Sequence, residues 1–348
     1  MTERKMATIR RIDTIGPIEG ADAIEVATVG GWKVVVKKGD FAPGDLAVYC
    51  EIDSFIPTKI APFLTKPDHY PKVFEGVEGE RLKTVRLRKT LSQGLLMSLE
   101  IHEDLPQMMY GNIGEDVSEL LGIKKYEAPI PAQLAGEVKG MFPGFIPKTD
   151  QERIQNLSVE LAEWVRLGYT FEVTEKLDGT SMTVFMVDTV FSICSRNLEL
   201  KPNPDNSMFK AAADQNLMEI LTLLNTLSPR NLALQGELIG NGIQGNKYKY
   251  TGQEFRVFDI YDIDAKRYFT PAERKEFVTE LNIKHVPVFQ SAVALDGLTM
   301  EVLLKHAEGK SVMGDITGPE REGLVYKCNE NPEVSFKVIS NSFLLREK

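Results

Sequence analysis

Glu175-Lys176-Leu177-Asp178-Gly179-Thr180-Ser181 is the stretch on which the reading of this chain turns. A lysine, one spacer and then Asp-Gly is a pattern suited to an amine that attacks phosphorus. A free lysine has a pKa of about 10.4 and is a poor nucleophile at neutral pH. Cations gathered around reacting phosphates, with partial desolvation of the amine, would favour its neutral form. Gly179 lets the backbone turn tightly beside a nucleotide. Asp178 can orient a ribose or hold a metal-bound water. The four residues alone equally describe a strand that ends in a turn with a solvated lysine, so the rest of the chain decides.

Upstream, residues 6–57 read as short strands and turns. Ala7–Ile12 and Ala23–Val29 alternate, Trp32–Lys38 is rich in β-branched residues, and Leu46–Ile52 is a further strand. Gly30-Gly31, Gly39-Asp40 and Pro43-Gly44-Asp45 supply the turns. Strands at this spacing predict a small barrel, for which an OB-like fold is the first choice by fold analogy. Arg81–Lys89 carries five basic residues in nine, interleaved with Leu82, Val85 and Leu87. As one strand it would present a cationic face. It then reads either as a phosphate-tracking patch through Lys83, Arg86 and Arg88 or as a solvated face paired with nearby acids.

Prolines 129, 131, 143 and 147 and glycines 136, 140 and 144 mark a connector. Lys148–Arg153 is expected to open a helix capped by Thr149 or Asp150, with Ile154, Leu157, Leu161, Trp164 and Val165 on its apolar stripe. Lys148 and Arg153 at that helix start could seat a phosphate. Tyr169–Glu175 alternates and delivers Lys176 at a strand end. Met182–Val187 and Val190–Ser195 form a hairpin across Asp188-Thr189. Phe209–Leu227 reads as one helix. Thr270-Pro271-Ala272-Glu273 is a capping box with proline in the first turn, opening a helix through Leu281. Leu298–His306 is another helix, and Gly323–Lys327 and Val334–Ile339 are the last strands. The class is α+β: an N-terminal OB-like barrel, then antiparallel sheets around a groove. The domains are residues 1–125, a connector at 126–147 and a second domain at 148–348.

Composition limits what the chain can be. Its 348 residues suffice for two cores. It has no apolar run of membrane-spanning length and no signal-like N-terminus. Cys50, Cys194 and Cys328 are widely spaced and fit neither a disulfide framework nor a zinc pattern, so buried free thiols in an intracellular, cytoplasmic protein are expected. The net charge of -9 argues against global attraction to nucleic acid, and any cationic site must be local. His69, His102, His285 and His306 are scattered and take no role.

Five pieces line up behind Lys176: Ser195-Arg196-Asn197, Gly236–Gly240, Val257–Ile260, Glu322–Lys327 and Ser335–Ile339. In this order they resemble the covalent nucleotidyltransferases, the polynucleotide ligases and capping enzymes, and most of all the RNA ligases. The resemblance spans residues 148–341. Eleven residues follow Lys337, too few for a trailing OB domain, whereas the barrel-like strands precede Lys176. That order resembles the stand-alone RNA ligases of the Deinococcus and Naegleria type, as do Pro147–Arg153 and Gly242–Asn246.

The resemblance implies ATP and Mg²⁺ or Mn²⁺, with Lys176 as nucleophile and Lys337 on the α-phosphate. Thr174 and Glu175 would read the adenine edge, Phe258 would stack on it, and Ser181 and Arg196 would contact the nucleotide or the nucleic-acid end. Asp178, Glu237 and Glu322 would hold the metal through its waters. Many relatives place two lysines in the last motif; here Ser335 and Ile339 flank a single Lys337, and Lys327 is the candidate for the second phosphate contact. The implied partner is RNA, or a duplex containing it, with a 5′-phosphate nick, handled by a monomer. A GTP-dependent capping-type transferase, a DNA ligase and a non-enzymatic OB-type binding protein are the alternatives.

Overall fold

The computed structural model describes residues 4–105, 113–127, 136–313 and 318–346, so Pro129 and Pro131 of the expected connector lie outside the described residues. Contacts divide the chain into two compact units, Thr2–Pro129 and Ile130–Glu347.

In the first unit, small antiparallel sheets follow from the alternating pattern. Leu46–Cys50 lies between Ala7–Arg11 and Leu95–Met97. Thr14–Pro17, Ile24–Val29 and Trp32–Lys37 make a meander. Trp32, Val34 and Val36 are buried while Lys33 and Lys37 face out, the period of two expected of a half-buried strand. A further sheet joins Ser54–Pro57, Lys72–Phe74, Val77–Arg81 and Lys124–Lys125. The basic stretch differs from expectation. Arg81 ends one strand and pairs with Asp53 at 2.5 Å. The chain then breaks and resumes as a hairpin, Val85–Leu87 with Thr90–Ser92. Arg88 and Lys89 form its turn, with φ of 46° and 66°. A strand face cannot survive a turn inside it, so these cations do not share one.

The second unit is built on two sheets. The larger has seven antiparallel strands, in which Thr180–Val187 lies between Val190–Cys194 and Leu232–Gly240, and Gln253–Asp262 follows on the far side. The hairpin at Asp188-Thr189 forms as expected, both residues left-handed. The smaller sheet has five strands. Thr170–Lys176 lies between Gly323–Cys328 and Val288–Ala294, and Ser335–Ile339 pairs on the other side of Gly323–Cys328. Helices cover each sheet. Leu217 and Leu221 are buried on the larger. Trp164 stacks on Phe336 of the smaller, 5.5 Å between ring centroids.

Three helix expectations meet different outcomes. The Thr270 capping box forms, with Pro271 opening Pro271–Glu280. The helix predicted from Lys148 does not start there: Glu152–Arg153 pairs in parallel with Phe336-Lys337, and the helix begins at Ser158. Pairing with the last strand overrides local capping. Phe209–Leu227 is two helices, Ser207–Asp214 and Leu217–Leu227, broken where Asn216 takes φ of 53°. All three cysteines are free and buried. No helix among the described residues is long and apolar enough to cross a membrane.

Candidate active site

The Lys-x-Asp-Gly stretch is the crossover between the two sheets of the second unit. Lys176 ends a strand of the smaller sheet, and Thr180 begins a strand of the larger. Between them Gly179 packs so closely that a Cβ there would lie 2.4 Å from the Leu238 carbonyl oxygen. Gly323 stands opposite Lys176, with equally little room beside Val338. Two glycines thus let three backbones converge on one amine.

Strand register then brings the acids in. Glu322 precedes Gly323, and its Oε1 lies 2.6 Å from Lys176 Nζ. Glu237 stands opposite Ser181 and accepts the Gly179 N–H at 3.1 Å. Asp178 is held by its backbone, whose N–H donates to the buried Tyr248 hydroxyl at 2.7 Å. Burial works against the Lys176 charge, but Glu322, Glu237 and Asp178 outweigh it and hold the pKa above the ordinary lysine value. The partial desolvation expected of the amine is present, whereas the chain itself surrounds it with acids and favours the ammonium. Burial and the neighbouring Glu322 push Glu237 up to about 8, despite Lys176. Burial also raises Glu322. Asp178, Glu237 and Glu322 are an all-oxygen donor set beside the amine, of the kind a hard divalent cation takes. Among the described residues no group of His, Cys, Asp or Glu gathers closely enough to ligate an ion directly. Mg²⁺ commonly keeps several of its waters, so carboxylates of this kind would hold it through them.

Lys337, on the last strand, pairs with Asp150 at 2.8 Å, and Arg196 reaches the same carboxylate at 3.4 Å. Lys148 donates to Asn197 at 3.0 Å. Glu175, the preceding residue of the strand, is buried. One carboxylate oxygen accepts the Val312 N–H at 3.0 Å, and the other is buried without a hydrogen-bond partner. Burial raises its pKa despite Ser311 and Val312. Thr174 is buried beside it, 3.5 Å from the Val325 carbonyl. Phe258 is half-buried against Leu177, Ile239, Tyr248, Val286 and Met313.

Two expected residues lie elsewhere. Lys327 is 5% exposed and pairs with Asp259, its ammonium 4.2 Å from the Tyr268 ring centroid. Burial lowers its pKa, and its charged neighbours are Asp259, Arg274 and Glu333, not those of Lys176. It is therefore not placed for a second phosphate contact. Arg153 is buried in the strand beside Lys337 rather than displayed at a helix start. Sequence reasoning gave no chemical role to Asp150, Lys247 or Tyr248. Their only signal was proximity to the stretches Pro147–Arg153 and Gly242–Asn246.

Comparison with known proteins agrees with this architecture. A family model described as RNA ligase matches residues 169–339, and one described as an OB-fold domain matches residues 6–99. No curated protein matches the chain. Among solved structures, an apo mutant of Naegleria gruberi RNA ligase is 45% identical, covering 100% of this chain and 99% of that one, with TM-score 0.89. A mutant of the same ligase with ATP and Mn is 46% identical, covering 98% of each chain, with TM-score 0.87. The ligase with PPi is 45% identical, covering 99% of each, with TM-score 0.88.

Proposed function

The chain belongs to the RNA ligase family, and from that premise we propose that it is an ATP-dependent ligase sealing breaks that carry a 3′-hydroxyl and a 5′-phosphate, chiefly nicks in duplexes. The observation that carries the reading is the Lys176 amine, 2.6 Å from Glu322 at the joint of two sheets, with Glu237 and Asp178 around it.

The Lys176 ammonium gives up two protons and forms a bond to the α-phosphorus of ATP. The bond from that phosphorus to the bridging oxygen breaks, and its electron pair leaves with pyrophosphate. The resulting lysyl-AMP passes AMP to the 5′-phosphate of the RNA, and the amine recovers its protons. The 3′-hydroxyl then attacks that 5′-phosphorus, loses its proton and expels AMP. Every step is phosphoryl transfer, so placement and charge neutralisation carry the catalysis. Lys337 serves the α-phosphate as a point charge, available once Asp150 yields it. Asp178, Glu237 and Glu322 would hold a magnesium or manganese ion through its waters, which would supply positive charge against the phosphates and favour the neutral amine. Glu175 presents its unpartnered oxygen to the adenine edge beside Thr174, Phe258 stacks on the base, and Ser181 and Arg196 take the nucleotide or the 5′-end. In the OB unit, Lys83, Arg86 and Arg88 track the duplex backbone, with Lys148 reserved for the catalytic unit. The enzyme acts as an intracellular monomer.

Incubation with α-labelled ATP or GTP, followed by nicked duplexes of RNA or DNA, tests the reading. ATP should label the protein through a phosphoramidate bond that is acid-labile and alkali-stable, Lys176→Ala should abolish the label, and a 3′-OH strand of RNA should be sealed. Labelling by GTP instead, or full labelling of Lys176→Ala, refutes it.

A further inference from the structure

Removing Lys327 from the phosphates leaves the single-lysine last motif with a deficit of one cation. The loop from Asn241 to Gly252 supplies a candidate. Lys247 projects from it and pairs with Asp178, two residues from the nucleophile. Its ammonium also lies 4.5 Å from the ring centroid of Phe343. The Lys247 side chain is 42% exposed and that of Asp178 15%, so the ammonium has room to leave while the carboxylate would need the arriving cation to replace it.

The loop is built to hold this position. Tyr248, the next residue, is buried with Leu177, Ile239, Val286 and Met313, and its hydroxyl accepts the Asp178 N–H at 2.7 Å. Gln244, Asn246 and Lys249 take φ of 43°, 47° and 54°, conformations costly for residues with a side chain. The Asn246 side chain offsets part of that cost by bonding both the N–H and the carbonyl of Tyr250, at 3.0 and 2.9 Å. Lys247 is thus held at its backbone, with its ammonium partly exposed to solvent.

We propose that Lys247 is the second phosphate-binding lysine of this enzyme, specific for the pyrophosphate portion of ATP. The inference rests on the adenylylation chemistry proposed above. Asp178 is one of the acids suited to a hydrated divalent cation, so an arriving cation and Lys247 compete for it. Once displaced, Lys247 faces the same polyphosphate as that cation, while Lys337, held by a different acid, Asp150, serves the α-phosphate. There it neutralises charge that builds on the bridging oxygen as the bond to the α-phosphorus breaks and pyrophosphate departs. Pyrophosphate takes part in neither of the later steps, so the role is confined to the first.

The test uses the full chain with Lys247→Met and Lys247→Arg. One charge-assisted hydrogen bond to a phosphate is expected to change rates and affinities by about ten- to a hundredfold. Lys247→Met should slow single-turnover adenylylation by that factor. It should also raise, by about tenfold or more, the pyrophosphate concentration needed to discharge the enzyme-adenylate in reverse. Lys247→Arg should restore much of both. Sealing of a pre-adenylylated nick should fall less than about threefold, well below the effect of removing a hydrogen bond used in that step. Mn²⁺ titration by paramagnetic resonance, without nucleotide, should show tighter binding to Lys247→Met because the competitor is gone. Equal losses in adenylylation and in sealing would move Lys247 to the RNA end or reduce it to a prop for Asp178, and would overturn the proposal. An unchanged pyrophosphate requirement or unchanged Mn²⁺ affinity would overturn it too. A wild-type protein that forms no lysyl-adenylate would instead overturn the reading on which it rests.

Discussion

Replacing Arg274 by methionine should destabilise the second unit by about 3–4 kcal/mol at pH 7. Arg274 is 1% exposed, on the helix Pro271–Glu280. Its guanidinium bonds Asp259 at 3.3 Å, Glu172 at closer range, and the His285 ring at 2.9 Å. Methionine fills much of the volume but leaves two carboxylates facing buried surroundings. Asp259 keeps Lys327. Glu172 loses the partner on which its charge chiefly depends, since burial already raises its pKa against Arg274. Its cheapest response is to take up a proton. For a carboxylate with an unfolded pKa near 4.3, that costs at most about 3.7 kcal/mol at pH 7. The figure agrees with the roughly 3–5 kcal/mol typical of breaking one side of a buried pair. The sign with pH follows from the raised folded pKa: the unfolded state gives up its proton first, so stability falls as pH rises above about 4.3. The mutant deficit should therefore shrink as pH is lowered from 7 to 5.5, and Glu172→Gln added to Arg274→Met should recover much of it. Urea denaturation followed by circular dichroism at the two pH values measures all of this. A deficit below about 1 kcal/mol, or one that widens on acidification, would refute the reasoning.

Other expectations are shorter. Gly179→Ala puts a Cβ 2.4 Å from a backbone oxygen and 2.9 Å from Glu237 Cγ, so adenylylation should be lost even where a thermal melt shows the fold retained. His285 is held neutral, its pKa lowered to about 3 by burial and by Arg274. Its folded pKa lies below the unfolded value, so its stabilising contribution is complete above pH of about 6.5 and declines by up to about 1.4 kcal/mol per pH unit below that. The stability difference between wild type and His285→Gln, measured from pH 7 to 4, should narrow accordingly; a constant difference would remove His285 from the pH dependence. Charge reversal of Arg86 and Arg88 should lower the salt slope of nick binding by about 0.9 for each phosphate no longer neutralised. A slope equal to wild type would make the hairpin a solvated surface.

Much of this architecture was legible because the relevant signals are local. The strand into Lys176, the hairpin at Asp188-Thr189 and the Thr270 capping box each need only neighbours in sequence, and each forms. The misses share the opposite cause. Glu152–Arg153 became a strand because Lys337, far along the chain, offered a partner. Arg88 and Lys89 turn with positive φ although neither is glycine or asparagine, so no turn signal warned that the basic stretch was folded back on itself. Lys327 looked available because a strand pattern shows which residues alternate, not which buried acid waits opposite. Asp259 and Glu172 lie on different sheets, and Arg274 joins them from a helix. Such a cluster is invisible until all three elements are placed.

The crossover at Leu177-Asp178-Gly179 has a consequence for how the enzyme should fail under stress. Lys176 and Lys337 lie on inner strands of one hydrogen-bonded sheet, with Glu322 just before the strand between them, and Glu237 and Phe258 belong to the other. Each sheet is internally tied by its own ladder, whereas their mutual alignment depends on side chains, on the short crossover and on the two backbone bonds of Val257 to Lys284 and Val286. A small slip between the sheets breaks no ladder and leaves the spectroscopic signature of the fold intact, yet separates the amine from half of its acids. Inactivation should consequently precede unfolding along a denaturant titration. The catalytic assay is then a gauge of alignment between two otherwise intact halves.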